Sequence, residues 1–348
     1  MASSFGEMGA ANPLSPFFPH PILAIETSCD ETSAAIITGP QVLSNVVSSQ
    51  IELHKKWGGV VPEAAARAHV EAVLPVIEEA LALASIELND LAAIAVTNRP
   101  GLIGALSVGV SAAKALAFSL NIPLIGIHHL EGHLLSTLAV RPDLPFPHTC
   151  LIVSGGHTEL VQVTDFGKYE IVGHTRDDAA GEAFDKGARL LGLGYPGGKA
   201  IQDAAESGDS KRYPLPKGLK GDTIDFSFSG LKTAMLRLVQ TQGNAININD
   251  AAASLQETIV SVLTERALRA CDQLGSKALT LVGGVAANGP LRARLKGACD
   301  QAGIDFVTPP LELCTDNAAM IGLAASTRLA RGEQDDFELD CFASVELG

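Results

Sequence analysis

The stretch ILAIETSCDETSAAII (residues 22–37) decides the fold, because it contains two apolar runs separated by a short polar turn. Short apolar runs bounded by turn residues are typical of buried β-strands. The stretch LIVSGGHTELVQV (residues 151–163) repeats this strand–turn–strand plan. Later in each half, an apolar strand enters a glycine-containing turn and a helix, in residues 93–116 and again in residues 278–295. This duplication predicts two similar lobes around a central cleft, each offering turns to a ligand.

Predicted strands and helices alternate along the whole chain, which is typical of an α/β fold. The strand candidates are residues 22–26, 34–38, 94–97, 124–127, 150–154, 159–163 and 278–282. The clearest helical periodicity lies in residues 64–84, 102–120, 251–273, 290–302 and 317–329. We expect a flexible tail (1–21), an N-terminal lobe (22–148), a C-terminal lobe (149–332) and an acidic tail (333–348); the helix 316–331 could pack back on the N-terminal lobe.

The composition is that of a globular protein with a sizeable core, since 47% of the 348 residues are hydrophobic. The longest apolar stretch, residues 105–120, contains Lys114 and is shorter than the roughly 20 residues that span a bilayer. Residues 1–20 contain no Lys or Arg, unlike a secretory or mitochondrial signal. The six cysteines form no CxxC pair, which favours reduced thiols. We therefore expect a cytoplasmic protein.

The formal net charge of −14 is unfavourable for a nucleic-acid-binding protein, because phosphate contacts need Lys and Arg. Local clusters matter more than this sum. The segment 211–220 contains four cations around one tyrosine and no acidic residue. Such a loop could contact RNA or could simply be solvated, so the charge neither supports nor excludes an RNA substrate.

Two polar turns are candidates for holding a phosphate group. Residues 27–32 form the first turn and residues 154–158 the second, and both are rich in Ser, Thr, Gly or acidic side chains. Short turns and helix N-termini present backbone N–H groups to anions. Each turn could equally be an ordinary tight turn, but their equivalent positions in the two halves favour a ligand. The GxGxxG match at residues 192–197 follows a helical segment, and GxxxxGK[ST] is absent from the sequence, so neither motif indicates a nucleotide site.

The segment HHLEGH (residues 128–133) carries a possible metal site. On a helix, His129 and His133 lie on one face, at a spacing that chelates a divalent metal. Asp316 could complete a set of two histidines and one carboxylate, or it could only cap the following helix. Histidines at this spacing are also often structural. Glu131 is displaced from its position in the HExxH motif of zinc proteases, which disfavours a protease.

Taken together, the motifs resemble those of the bacterial TsaD family, the tRNA N6-adenosine threonylcarbamoyltransferases, once described as O-sialoglycoprotein endopeptidases. The resemblance extends from about residue 22 to residue 329. Its motifs are ETSCDET (26–32), GGVVPEAAARAH (58–69), HHLEGH (128–133), VSGGHTEL (153–160), DDAAGEAFDKGARLLGLGYPGG (177–198), DFSFSGLKT (225–233), GGVAANGPLRARL (283–295) and CTDNAAMI (314–321).

The resemblance implies two duplicated lobes of the actin-like, sugar-kinase-like (ASKHA) ATPase fold. It also implies an acyltransferase that moves the threonylcarbamoyl group from threonylcarbamoyl-AMP to N6 of the adenosine 3′ of the anticodon, in tRNAs reading codons that begin with A. The expected partners are the TsaB paralogue and the TsaE ATPase, with no membrane. One divalent metal per subunit is expected, usually Fe2+ and sometimes Zn2+.

The resemblance also assigns roles to individual residues. The metal ligands correspond to His129, His133 and Asp316, and the acidic residues near the chemistry to Asp30 and Glu31. The positions that bind the adenylate correspond to Ile152, Val153, Ser154, Gly155, Gly156, Asp185, Gly198 and Asn288. Lys199 departs from the proline that is usual in the family, which leaves the local geometry open.

Three alternatives remain at this stage. A small-molecule kinase of the same fold would explain the phosphate turns but has no need of the metal residues. A metalloprotease is disfavoured by the position of Glu131. A non-catalytic paralogue would resemble only the first half of the chain.

Overall fold

The computed structural model describes residues 15–57 and 59–347. The predicted N-terminal tail therefore lies mostly outside the described residues. Within the described part, the strands are β1 Ile22–Glu26, β2 Glu31–Thr38, β3 Gln41–Ser49, β4 Ala93–Arg99, β5 Leu124–His128, β6 His148–Val153, β7 Thr158–Asp165, β8 Lys168–His174, β9 Ala278–Val282 and β10 Asp305–Val307. The α-helices are α1 Ile51–Lys55, α2 Pro62–Ala84, α3 Ile103–Leu120, α4 His129–Leu135, α5 Ala180–Leu190, α6 Gly197–Ala205, α7 Ser229–Gln242, α8 Ile248–Leu274, α9 Gly289–Ala302 and α10 Ala318–Ala330.

The chain divides into two compact units. Among the described residues, the first unit comprises 15–51, 60–135 and 317–345, and the second comprises 52–57, 59, 136–316 and 346–347. Each unit contains one five-stranded sheet, in the order β3-β2-β1-β4-β5 or β10-β9-β6-β7-β8. The mixed α/β architecture with two lobes is therefore confirmed.

The two sheets share the duplicated plan that the sequence predicts. In the first sheet, β1 pairs antiparallel with β2 and parallel with β4. In the second sheet, β6 pairs antiparallel with β7 and parallel with β9. The central strands β1, β6 and β9 are buried along their whole length, which explains why they read as continuous apolar runs.

Helix α3 is long and apolar enough, by length and composition alone, to cross a membrane. It packs against β4 and α2, and its buried face consists of small or aliphatic residues such as Ala105, Val110 and Ala117. An amphipathic helix that lays such a face on a sheet passes the same compositional test. In this fold α3 is a helix that covers the sheet of the first unit.

Asparagine side chains begin three of the helices. Asn247, Asn288 and Asn317 are the N-caps of α8, α9 and α10, and the side-chain oxygen of each accepts a hydrogen bond from a backbone N–H of the first turn. Such a cap satisfies backbone donors that have no partner within the helix. For α10 the cap is therefore Asn317, and the alternative in which Asp316 serves as the cap is wrong.

The acidic segment that follows α10 lies along the first sheet. The backbone N–H of Asp335 donates to the carbonyl of Leu124, and its carboxylate accepts from the N–H of Gly126, both at 2.8 Å. Further along, the N–H of Phe342 donates to the carbonyl of Asn98. These bonds hold the segment along the sheet, from the first residue of β5 to the carboxyl end of β4.

Candidate metal centre and nucleotide cavity

A cluster of metal-binding side chains forms where β5 ends and α4 begins. His129 is the first residue of α4 and His133 lies one turn later, with ring centroids 4.8 Å apart. Asp316 directly precedes the cap of α10. One ligand atom from each of these three residues lies within 4.8 Å of the other two. We call His129, His133 and Asp316 the metal cluster.

The surroundings of His129 suit a metal ligand. Its Nδ1 lies 3.1 Å from Oε2 of Glu26 and 3.2 Å from Oγ of Ser28, so Nε2 would be the ring nitrogen that binds an ion. A metal-bound histidine usually gives its other ring N–H to a carboxylate, which fixes the tautomer. Two imidazoles and one carboxylate with further positions open are a donor set for a divalent transition metal. The residues present therefore fit such an ion.

Glu26 itself is held in place by the strands around it. The side chain is fully buried at the end of β1. Its Oε1 accepts from the N–H of Ser28 and its Oε2 from the hydroxyl of Thr97, both at 2.5 Å. A buried carboxylate is stabilised only when it is paired or hydrogen-bonded. Glu26 has no role predicted from the sequence, since its contact with His129 joins residues 103 positions apart.

The other polar residues of HHLEGH have positions of their own. Nδ1 of His128 accepts from the N–H of Leu130, and its Nε2 therefore donates to the carbonyl of Val345 at 3.0 Å. Glu131 is buried, and its Oε2 lies 3.6 Å from the guanidinium of Arg328 on α10. This ion pair gives Glu131 a structural partner and adds to the case against a protease base.

The second unit contains a cavity of about 380 Å³. We call it the nucleotide cavity after the adenylate site predicted from the sequence, and it is lined by Gly155, Gly181, Phe184, Asp185, Pro196, Gly198, Lys199, Gln202, Gly284, Val285, Ala287, Asn288 and Thr315. Four residues predicted to bind the adenylate are among these. Of the other four, Ser154 and Gly156 lie in the turn beside Gly155, whereas Ile152 and Val153 are buried within β6.

The turn after β6 lies against the start of α5. The N–H of Ser154 donates to the carbonyl of His157, and the N–H of Gly181 donates to the carbonyl of Ser154 at 3.2 Å. A Cβ atom at Gly181 would lie only 2.5 Å from that carbonyl oxygen, so this position needs glycine. Gly155 and Gly156 are exposed and have open space around them. A glycine turn beside a helix N-terminus is a typical anion site.

Asp185 and Asn288 line the nucleotide cavity from two helices. Oδ1 of Asp185 accepts from the N–H of Gly197 at 2.8 Å, and partial burial raises the pKa of this carboxyl despite that bond. The oxygen of Asn288 caps α9, while its Nδ2 donates to Oε1 of Gln256 at 2.9 Å. Asn288 therefore combines a capping bond with a place in the cavity wall. The ammonium of Lys199, by contrast, pairs with Asp203 on the exposed face of α6.

Asp30 and Glu31 follow the β1 strand in the first unit, and both are half-buried. The carbonyl of Asp30 accepts from the N–H of Gln50. Oε1 of Glu31 accepts from the hydroxyl of Ser49 at 3.2 Å. Both bonds join this turn to the end of β3.

The basic segment 211–220 is tied to α8. Lys217 pairs with Glu265, and the guanidinium groups of Arg266 and Arg269 donate to backbone carbonyls of residues 219–223. Lys211, Arg212 and Lys220 are exposed at the surface. The segment is thus a braced loop that carries exposed cations.

Comparison with known proteins identifies the family. The family model described as TsaD, tRNA N6-adenosine threonylcarbamoyltransferase, matches residues 41–323. Proteins with that name are 51% identical in Symbiobacterium thermophilum, over 94% of this chain and 97% of the relative, and 53% identical in Synechococcus sp., over 94% and 92%.

Solved structures support the fold alone, since their sequence identity is low. The HypF protein of T. kodakarensis has a TM-score of 0.60 at 14% identity, covering 90% of this chain and 48% of HypF. Component A of the Acidaminococcus fermentans (R)-2-hydroxyglutaryl-CoA dehydratase has a TM-score of 0.54 at 15% identity, covering 90% and 99%. Both likenesses agree with the mixed α/β fold of two five-stranded sheets. The chain belongs to the TsaD family, the tRNA N6-adenosine threonylcarbamoyltransferases.

Proposed function

We propose that this chain transfers the threonylcarbamoyl group from threonylcarbamoyl-AMP to N6 of the adenosine 3′ of the anticodon, in tRNAs that read codons beginning with A. Membership of the family supports the modification of tRNA. Within the molecule, the observation that best supports the proposal is the metal cluster, in which His129 also contacts the carboxylate of Glu26. A small-molecule kinase of this fold has no use for that arrangement.

The nucleotide cavity is the proposed site of the adenylate. Backbone N–H groups of the 154–156 turn and the N-terminus of α5 would take its phosphate. Asp185 would accept a hydrogen bond from a ribose hydroxyl, and Asn288 would contact the base. Gly198 and the neighbouring wall residues leave room for the nucleoside.

The metal cluster is the proposed site of one divalent ion. The family implies such an ion, and Fe2+ is our proposal for its identity, with Zn2+ as the alternative. When bound, the ion would polarise the carbonyl or hold the threonine carboxylate. His129 and His133 would hold it through ring nitrogens and Asp316 through a carboxylate oxygen.

The reaction needs positioning more than strong nucleophilic activation. The exocyclic amine of adenosine is a weak nucleophile, whereas the carbamoyl carbon of a mixed anhydride is activated. N6 forms a bond to that carbon, the bond to the phosphate oxygen breaks, and AMP leaves. Asp30 or Glu31 would accept the proton lost from N6. If Asp30→Asn and Glu31→Gln each keep full transfer with intact adenylate binding, neither residue has this role.

We propose TsaB, TsaE and tRNA as the partners. The outer face of α2 carries Val70 and Leu74, which are 63% and 58% exposed. Apolar side chains grouped at one helical turn are typical of a protein interface. This face of the first unit is our proposed binding site for TsaB. The exposed cations of segment 211–220 would help to dock tRNA, and a tRNA substrate is consistent with the expected cytoplasmic location.

The test is the transfer of labelled threonylcarbamoyl from its adenylate to tRNA, with TsaB and TsaE supplied. We expect labelled tRNA from the wild type and little from His129→Ala. His174→Ala is the matched control, since His174 is an exposed residue on β8. Equal labelling by wild type and His129→Ala would remove the metal cluster from the reaction. No labelling by the wild type, with partners shown to be active, would overturn the proposed function.

A further inference from the structure

Arg292, in the first turn of α9, binds two separate chain segments through one guanidinium group. Its Nε donates to the carbonyl of Ala286 at 2.5 Å, and its Nη2 donates to the carbonyl of Pro309 at 2.7 Å. The same Nη2 lies 2.8 Å from Sγ of Cys314. Among the described residues, no carboxylate forms an ion pair with Arg292, and its hydrogen bonds go to these two segments.

The two segments lead to two different parts of the site. Ala286 belongs to the 3-10 turn Gly284–Ala287, which supplies three residues to the wall of the nucleotide cavity. Cys314 ends the second segment, and the next two residues are Thr315, which also lines the cavity, and Asp316, a member of the metal cluster. The side chain of Arg292 therefore joins the cavity wall, by hydrogen bonds, to the loop that leads to Asp316.

We propose that Arg292 is a positioning residue that couples the binding of an adenosine nucleotide to the binding of the metal ion. This proposal rests on the two sites of the proposed function. A guanidinium is planar and holds its donors in a fixed fork. A shift of one segment without the other breaks a charge-assisted hydrogen bond, so a ligand that fixes the cavity wall also fixes Asp316. Such coupling is reciprocal between the two ligands.

The experiment measures AMP affinity by calorimetry with and without Co2+, and records the absorption spectrum of bound Co2+. In the wild type we expect Co2+ to tighten AMP binding by about 5-fold or more, the usual range of coupling between sites. In Arg292→Met we expect this ratio to fall to near one and the Co2+ spectrum to change. Arg292→Lys, which keeps a cation without the fork, should retain part of the coupling.

Arg294→Met is the matched control. Arg294 lies two residues further along α9 and pairs at the surface with Glu257 at 2.6 Å; in the part of the chain that the structure describes, it makes no hydrogen bond to either segment. Arg294→Met should show the same effect of Co2+ on AMP affinity as the wild type, and the same absorption spectrum of bound Co2+. If Arg292→Met does not fold, Cys314→Ala takes its place, since it removes one acceptor from the loop before Asp316; it should weaken Co2+ binding more than AMP binding.

The possible outcomes separate this inference from the proposed function. Wild-type coupling and an unchanged spectrum in folded Arg292→Met, or equal Co2+ and AMP affinities in Cys314→Ala and wild type, would overturn the positioning role alone. Absence of coupling in a wild type that binds both ligands would overturn it as well. A wild type that binds neither AMP nor Co2+ would overturn the proposed function together with this inference.

Discussion

The variant Glu26→Gln tests whether the carboxylate of Glu26 orients His129 for metal binding. In the wild type, both oxygens of Glu26 accept hydrogen bonds, and Oε2 lies 3.1 Å from Nδ1 of His129. A glutamine of the same size puts an NH2 group in place of one acceptor. If that group faces His129, the imidazole must accept at Nδ1 and carry its proton on Nε2, the atom that would bind the ion.

The expected magnitude follows from the burial of this contact. Loss of a carboxylate behind a metal-bound histidine typically costs about 10- to 100-fold in metal affinity. This range corresponds to about 1.4–2.8 kcal/mol. Because Glu26 is fully buried, water cannot replace the lost acceptor, so we expect a value within the range and not below it.

The assay is competition for Co2+ or Zn2+ against a chromophoric chelator, with thermal unfolding recorded for each variant. Glu159→Gln is the control, because it changes a partly buried carboxyl on β7 in the second unit. An affinity of folded Glu26→Gln equal to that of the wild type would refute the idea that Glu26 orients His129.

Three further predictions concern other parts of the chain. Partial burial of Asp177 opposes its ionisation, but hydrogen bonds from two hydroxyls and two backbone N–H groups at the start of α7 lower its pKa to about 2. Asp177→Ala should therefore lower the free energy of unfolding by about 1 kcal/mol, the usual value of a helix cap. Because the folded-state pKa is lowered, this contribution is present above the unfolded value near ~4 and is lost as the pH falls towards 2, so unfolding temperatures of the two proteins should converge in acid. Gly181→Ala should weaken AMP binding about tenfold by displacing the neighbouring turn, whereas Gly230→Ala, which has open space, should not; equal affinities in calorimetry would contradict this. Val70→Asp with Leu74→Asp should abolish co-purification with TsaB and leave AMP binding unchanged, and retained co-purification would exclude this face.

The core of each unit could be predicted from the sequence because its strands are buried on both faces. Strands such as β1 and β9 are continuous apolar runs, and their boundaries agree with the prediction. The outer strands β3 and β8 were not predicted. They alternate between exposed and buried or half-buried residues, so their composition resembles that of loops.

The site could be predicted only where its residues are close in sequence. His129 and His133 share one helical turn, so their spacing alone indicates a chelating pair. Glu26 and Arg292 act through contacts between segments that are distant in the chain or connected by irregular turns. No periodic pattern marks such contacts, and only the folded chain brings them together.

The most direct test of the central claim is the chemical identity of the product. tRNA is incubated with the protein, threonylcarbamoyl-AMP and the two partner proteins, then digested to nucleosides and analysed by mass spectrometry. The account predicts N6-threonylcarbamoyladenosine from a tRNA that reads codons beginning with A, and none when the adenosine 3′ of the anticodon is replaced by guanosine. Unmodified adenosine in the first tRNA, or equal modification of both, would contradict it.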